Sequence, residues 1–456
     1  MNNLKKTISK ITPFIKNYKW SFIGAITFII LAAVFTTLAP RTEGLIITQL
    51  TKDFERIIKG VEGASVNFNY IYKVLVVLFL VYLGSVASTI IANFLLTNAI
   101  QNTMKDIRVG IIGYGFMGHE HVKLLTKLDG IKVVAVADRD SSQLVNIPKG
   151  ILAYNKAEEL LANPDVDVVI ISANNNQHLD LVVKAAKAKK DIICEKPVSM
   201  TLSELDEMTK AVNENNVKFT VHHQRRLDQD YRITKEVYDQ KSLGEVYTIK
   251  NQLYGFNGNM HDWHVYISEG GGMLYDWGVH LIDQILWMVD SKVQSVYATM
   301  KNVINFEVDD FFNIQIRFEN GVHAEIELGT YYLKDDASWF ERHWFMGGNK
   351  GSMYIDGFNP KGKIVRTTEL LHNVSGERTM TSAGPTRSFG NPREGLLVTE
   401  ELPKVNTCHE DFFKNYIKAY NGEEEFLVKI PEVRRVLALM DAVRESARTG
   451  KSVNFE

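Results

Sequence analysis

The sequence predicts an α/β protein behind a membrane hairpin. A two-helix transmembrane segment covers residues 1–103, a doubly wound parallel sheet 104–226, and an α+β domain with an open, mainly antiparallel sheet 227–456. Three observations carry this reading. Residues 21–38 and 74–100 hold no charged side chain, and each run reaches the roughly 18 to 20 apolar residues that cross a bilayer as a helix. From residue 107 onward short apolar strands alternate with stretches of helical spacing, the pattern of a parallel sheet. From residue 243 apolar and polar side chains alternate instead, which marks half-buried strands.

The average composition hides this organisation. With 456 residues, 45% apolar, 23% charged and a formal net charge of −2, the whole chain has no clustered basic surface of the kind that binds nucleic acid. Cys194 and Cys408 are too few for a disulfide framework and fit a reducing compartment. Ahead of the first apolar run stand Lys5, Lys6, Lys10, Lys16 and Lys19 without an acidic residue, which holds the N-terminus in the cytoplasm. A hairpin then returns the chain to that side, so the expected location is a membrane with the later domains cytoplasmic. The run ends Thr37-Leu38-Ala39-Pro40 without a small-x-small cleavage site, which argues against a secretory signal.

An amphipathic lead-in at residues 11–20, Pro40 after the first span and the ending Gln101-Asn102-Thr103-Met104-Lys105-Asp106-Ile107-Arg108 together resemble the first two transmembrane helices of an ABC exporter, over residues 1–105. The resemblance stops there, because no G-x-x-x-x-G-K-[ST] phosphate loop exists in the chain. Met104-Lys105-Asp106-Ile107-Arg108 reads equally well as the end of one protein and the start of another. If translation starts at Met104, the product is cytoplasmic.

The strand at 107–112 runs into Gly113-x-Gly115-x-x-Gly118, and helical spacing follows through Val122, Leu124, Leu125 and Leu128. A second strand at 133–137 ends on Asp138, about twenty residues beyond the last glycine, the context a dinucleotide-binding fingerprint requires. The first glycine permits the turn, the second lets backbone approach the pyrophosphate, and the third allows close helix packing. Phe116 and Met117 open the helix whose free N–H groups and dipole face the phosphates. Asp138 can accept from a ribose diol and would repel a 2′-phosphate, so NAD is expected; the guanidinium of Arg139 makes NADP the second candidate.

The alternation continues with helices at 157–161, 179–188 and 202–216 and strands at 166–171, 192–194 and 217–221. In such a sheet ligands gather beyond the carboxyl ends of the strands. Asn174-Asn175-Asn176-Gln177-His178, Glu195-Lys196-Pro197 and His222-His223-Gln224-Arg225-Arg226 occupy those ends and are expected to converge on the nicotinamide.

Glu195-Lys196-Pro197, together with Gly270-Gly271-Gly272-Met273-Leu274-Tyr275-Asp276-Trp277-Gly278-Val279-His280 and the glycine loop, resembles the glucose-fructose oxidoreductase and inositol dehydrogenase (Gfo/Idh/MocA) family from residue 104 to 456. Leu243-Gly244-Glu245-Val246 and Phe318-Glu319-Asn320-Gly321-Val322 add to the likeness. Two features depart from the family pattern: Ala173-Asn174 stands where T-P is usual, and Lys189-Lys190-Asp191 where G-K-H is usual.

The resemblance implies an NAD(P)-dependent dehydrogenase or reductase acting on CH–OH groups of a sugar, inositol or related polyol. Lys196, Asp276 and His280 would be catalytic. Asp276 and His280 stand at i and i+4, so the carboxylate could orient the imidazole. Lys196 would stabilise the developing alkoxide while His280 removes the proton. The cofactor set comprises Gly113, Gly115, Phe116, Met117, Gly118, Asp138, Arg139, Asn175, His178, Glu195 and Lys196. Arg226, Tyr254, His261 and Trp263 would line the substrate cleft. His222, His223, His261 and His264 invite a metal, but no cysteine or carboxylate cluster completes a coordination set and none is expected.

Strands are expected at 246–253, 293–300, 312–318 and 323–328, helices at 409–420 and 431–448, and a long loop at 361–395. The resemblance implies a homodimer or homotetramer through the outer face of this second sheet. Two alternatives accompany the dehydrogenase reading: an NAD-dependent glycosidase of the same family, and a membrane-associated dinucleotide-binding sensor.

Overall fold

The computed structural model describes residues 2–103, 106–255, 260–332, 340–373, 376, 378–386 and 392–455, with side chains described outside 2–19, 98–103 and 340. Met104 and Lys105 of the junction lie outside these residues. Two compact units emerge, Met1–Asp106 and Ile107–Glu456.

The first unit is an antiparallel pair of helices, α1 (Asn2–Ile58) and α2 (Phe68–Thr103). Small residues line their seam. Ala25, Ala39, Ser88 and Ala92 are buried, and a Cβ on Gly84 would stand 2.9 Å from the Phe35 ring. Ile26, Ile30, Val34, Phe79, Leu83 and Phe94 point outward. Mean hydropathy reaches 2.4 within residues 20–58 and 2.5 within 68–97, so both helices are long and apolar enough to cross a membrane. Pro40, which follows the first apolar span, does not end the helix: α1 runs through it for a further eighteen residues, to Ile58. Proline removes one backbone bond, and Thr36, Thr37 and Thr42 bond the carbonyls four residues back along the same stretch.

In the second unit, β1 (Ile107–Ile112), α3 (Phe116–Leu125), β2 (Ile131–Ala137), β3 (Leu152–Tyr154), α4 (Ala157–Ala162), β4 (Val168–Ile171), α5 (His178–Lys187), β5 (Asp191–Cys194), α6 (Leu202–Asn215) and β6 (Phe219–Val221) build a parallel sheet ordered β3-β2-β1-β4-β5-β6. Both faces of this sheet are covered, and four of the six residues of β1 read as one apolar run because neither face meets water. Local chemistry sets the helix ends. Thr201 caps α6 by accepting from the Glu204 amide, Glu204 reaches back to the Met200 amide, and Asn216 turns the chain at φ 53°.

Next come α7 (Gln229–Asp239), β7 (Val246–Gly255), α8 (Val279–Met288), β8 (Val293–Lys301), β9 (Phe311–Phe318), β10 (His323–Gly329), β11 (Phe340–Gly348), β12 (Gly351–Asp356), β13 (Lys361–Thr367), the two-residue pair β14 (Met380–Thr381) and β15 (Gly384–Pro385), β16 (Leu397–Glu401), α9 (Glu410–Tyr420), α10 (Ile430–Thr449) and β17 (Val453–Asn454). Nine of these strands form one sheet, ordered β16-β13-β12-β11-β7-β10-β9-β8-β17. It is antiparallel except where β10 runs parallel to β7. Its inner face, with Ile249, Leu253, Ile314, Ile316, Ile326 and Ile355, packs on α8 and α10.

The expected loop at 361–395 is therefore corrected. Its first seven residues are β13, which pairs with β12 on one side and β16 on the other. Lys361-Gly362-Lys363-Ile364-Val365-Arg366-Thr367 alternates weakly, with only Ile364 fully buried, so the pattern of a near-edge strand is faint. Hydrogen bonds cross the expected domain boundary at residue 226. Thr220 bonds the Val428 carbonyl, Lys218 the Tyr420 carbonyl and Arg226 the Glu432 carboxylate, so both sheets share one core.

Candidate active site

The glycine loop has the geometry a dinucleotide needs. Gly113 sits at φ 92°, and any Cβ there would lie 2.5 Å from the Ala173 amide nitrogen. A Cβ on Gly118 would stand 2.4 Å from the Gly113 carbonyl oxygen, whereas above Gly115 nothing lies within 4 Å. The loop is thus packed on two sides and open on the third, at the N-terminus of α3, where unpaired N–H groups attract phosphate. Phe116 is 78% exposed beside it, Met117 half-buried.

A cleft of about 470 Å³ runs from this turn over the ends of β2 and β4, lined by Gly113, Gly115, Asp138, Arg139, Ser172 and Asn174 among others. Asp138 accepts from the Tyr114 amide at 2.7 Å and from the Asp140 amide at 2.8 Å, which fixes its carboxylate at the cleft edge. Ser172, which the sequence reading passed over, donates to the Gly113 carbonyl at 2.7 Å. Space above Gly115 and an ordered acid beside a basic side chain fit a dinucleotide with a ribose diol.

Three of the expected cofactor residues stand behind the cleft wall. His178 is fully buried, its Nδ1 3.0 Å from the Pro197 carbonyl and its Nε2 2.9 Å from that of Ala173, so it ties the start of α5 to the segment after β5. Asn175 bonds the Gly270 carbonyl at 3.2 Å. Glu195 is buried between His121 and His222, each ring nitrogen 2.7 Å from Oε1. Burial pushes the Glu195 carboxyl up, yet the two imidazoles outweigh it and hold it well below the usual range. His121, Glu195 and His222 bring ligand-type atoms within 4.8 Å of one another, the composition of a metal triad. The far nitrogen of His222 has no partner among the described residues, whereas ligating imidazoles normally use it to bond an outer acceptor.

Lys196 turns the other way. Its Nζ lies 2.7 Å from Asp276 Oδ1 and 3.0 Å from the Asp276 carbonyl oxygen, with both side chains largely buried. Asp276 belongs to a π-helical turn, Leu274–Gly278, and α8, which follows directly, carries the next catalytic candidate, His280. Asp309 secures this turn by accepting from the Leu274 amide at 2.8 Å. Close approach brings in a further residue: a Cβ on Gly271 would stand 2.4 Å from the His264 carbonyl oxygen, and this contact sets His264 Nε2 3.9 Å from Asp276 Oδ2.

Asp276 does not hold His280 as its i,i+4 spacing suggested. The carboxylate is engaged by Lys196, and His280 Nδ1 has no partner among the described residues. Burial lowers the His280 pKa first, and the charges of Lys196 and Arg225 lower it further, so the imidazole is neutral at pH 7 and able to take a proton. Asp276 is raised by burial but brought below its ordinary value mainly by Lys196, and it stays ionised.

The expected substrate residues divide. Trp263 stacks on His264 with ring centroids 3.8 Å apart, next to Asp276, while His261 is exposed and bonded to Asp262. Tyr254 lies elsewhere. It stands on the outer face of the nine-stranded sheet, its hydroxyl 2.9 Å from Glu327 and its ring beside Tyr332, because β7 alternates and the inward positions fall to Ile249, Asn251 and Leu253. Arg226 is also corrected: it is buried, with Nε and Nη2 on Asp283 and Nη1 on Glu432, a structural ion pair.

Residues 107–223 match the family described as "Oxidoreductase family, NAD-binding Rossmann fold", and residues 231–354 match "GFO/IDH/MocA C-terminal domain". The chain belongs to the Gfo/Idh/MocA family. The chain is 35% identical to an NAD-binding protein from Listeria innocua, with 77% of this chain and 99% of that one covered at a TM-score of 0.71. Myo-inositol 2-dehydrogenase of Thermotoga maritima is 25% identical over 77% of this chain and 99% of its own length. The WlbA dehydrogenase from Bordetella pertussis, solved with NADH and UDP-GlcNAcA, shares the fold at a TM-score of 0.61 and 19% identity, with 77% of this chain and 99% of that one covered. This Gfo/Idh/MocA protein is an NAD(P)-dependent oxidoreductase with an NAD-binding Rossmann domain and two apolar N-terminal helices.

Proposed function

We propose that the chain oxidises a CH–OH carbon of a sugar, inositol or related polyol, or reduces the corresponding carbonyl, with Lys196 and His280 as the reacting side chains. The observation that carries this is the Lys196 ammonium held 2.7 Å from Asp276 beside a buried, neutral His280. The glycine loop and Asp138 would hold NAD, which would supply the hydride acceptor or donor. Lys196 donates to the substrate oxygen and stabilises it as charge develops, because Asp276 fixes its direction. His280 takes the hydroxyl proton in oxidation and returns it in reduction. Asp138 selects NAD over NADP by repelling a 2′-phosphate.

A panel of inositols, aldoses and sugar acids, assayed by nicotinamide absorbance with NAD and NADP, tests this reading. Turnover on one of them with NAD preferred is expected. Sugar release from glycosides without net cofactor reduction would instead favour the family's NAD-dependent glycosidases, and binding of dinucleotide without turnover a sensor.

For the first unit we infer a membrane anchor like an exporter hairpin, supported by the outward-facing apolar side chains of α1 and α2. The protein should stay with membranes through a carbonate wash and enter the soluble fraction when residues 1–103 are deleted. Solubility of the full chain without detergent would contradict the anchor.

A further inference from the structure

Arg225 and Arg226 are neighbours in the turn Gln224–Leu227, yet they do different things. Arg226 is consumed by Asp283, Glu432 and the Leu427 carbonyl. Arg225 lies over Trp277, its guanidinium carbon 3.9 Å from the ring centroid, and among the described residues its side chain makes one hydrogen bond, from Nη1 to Asp228 Oδ2 at 3.1 Å. That oxygen also serves Arg342 at 2.5 Å, and Asp228 serves His409 as well. Arg225 thus has a shared counter-ion and one engaged nitrogen out of three.

Trp277 follows Asp276 directly, and the charge of Arg225 bears on both Asp276 and His280. The Arg225 side chain keeps 24% of its surface accessible, whereas Arg226 keeps 1%. A guanidinium stacked on an indole is held in orientation while its donor edge stays available, and that planar edge matches a carboxylate with two parallel hydrogen bonds.

We propose that Arg225 is a substrate-binding residue that takes a carboxylate, so that the preferred substrates are acidic sugars rather than neutral polyols. This rests on the hydride-transfer reading and narrows its substrate class. A neutral sugar leaves the Arg225 donor edge to water. A sugar acid fills it and is oriented with its carbinol toward Lys196.

The test compares glucuronate with glucose and myo-inositol, using the full chain and Arg225→Gln and Arg225→Lys. The expected result is a kcat/KM preference for the acid that falls about 100-fold in Arg225→Gln and less in Arg225→Lys, as loss of a charge-assisted pair predicts. Calorimetric binding of glucuronate to the NADH-loaded protein supplies a second reading independent of turnover. Binding should weaken similarly in Arg225→Gln, while NADH affinity and Tm are retained. A wild-type preference for the neutral sugar, or glucuronate binding that is absent or indifferent to Arg225, overturns the proposal. Absence of turnover on every compound, with Arg225-dependent glucuronate binding intact, would count against hydride transfer and leave the carboxylate site standing.

Discussion

Lys196 and Asp276, eighty residues apart in sequence, meet at 2.7 Å between Nζ and Oδ1. The end of β5 delivers one and the π-helical turn before α8 the other. Because the ammonium is also bonded to the Asp276 carbonyl, its direction is set from two sides.

Lys196→Met should therefore abolish turnover, and Asp276→Asn should lower kcat by about 100-fold or more while NADH binding persists, in the range general acid–base and electrostatic groups contribute. Steady-state rates and fluorescence titration of NADH measure both. Turnover in Lys196→Met within tenfold of wild type would remove Lys196 from the chemistry.

His280 is held neutral by burial and by Lys196 and Arg225, so its folded pKa lies well below the ordinary 6.5. The base form is then present at neutral pH and persists below pH 6.5, and the oxidation rate kcat/KM should stay level through that value, falling only at more acid pH. Arg225→Gln removes one of the depressing charges, so its acid limb should move to higher pH. A wild-type limb at or above pH 6.5 would contradict the assignment.

Several buried histidines set the pH dependence of stability. His178, His222 and His280 are pushed down by burial, and His223 is pushed down to about 4. Each takes up a proton on unfolding below pH 6.5 that it does not hold when folded, so stability falls as pH drops from 6.5 toward 4. Asp309 works in the opposite direction, since burial raises its pKa to about 6 and the folded state binds the extra proton between 3.8 and 6. The histidines outnumber it. Tm measured between pH 7.5 and 5 should decline, and a level Tm would show that these imidazoles are accessible to protons in the folded state.

Arg226 is expected to matter for folding rather than for substrate. Arg226→Met leaves Asp283 buried without its partner and should cost about 3 to 5 kcal/mol of stability, against little change for Arg225→Gln. Denaturant titration of the two variants decides it. Equal stability of Arg226→Met and wild type would contradict the structural role.

How much of this was legible in the sequence depended on whether one residue or a set of contacts decides the outcome. β1 is legible at its observed bounds, Ile107–Ile112, because an apolar run interrupted by one charged residue, Arg108, leads into Gly113-x-Gly115 and leaves few alternatives. The glycine loop, Asp138 and Lys196 were placed correctly at strand ends for the same reason. β3 and β11 through β17 are not legible: Leu152-Ala153-Tyr154 is three residues long, β14, β15 and β17 are two residues each, and β13 buries one side chain fully. Site residues failed where a neighbour in space overrode sequence spacing. Asp276 and His280 sit four apart, yet Lys196 claims the carboxylate. Arg225 and Arg226 are indistinguishable in the chain, and only Asp283 and Trp277 tell them apart. His264 was visible as a histidine but was read beside His261, because nothing in the sequence shows Gly271 packing under its carbonyl.

The most direct test of the account is the fate of the carbinol hydrogen. A substrate from the panel, deuterated at the carbon to be oxidised, should pass its deuterium to the nicotinamide ring, and mass spectrometry of the reduced cofactor should find it there in wild type and not in Lys196→Met. Turnover with the deuterium released to water would contradict hydride transfer between cofactor and substrate at this site.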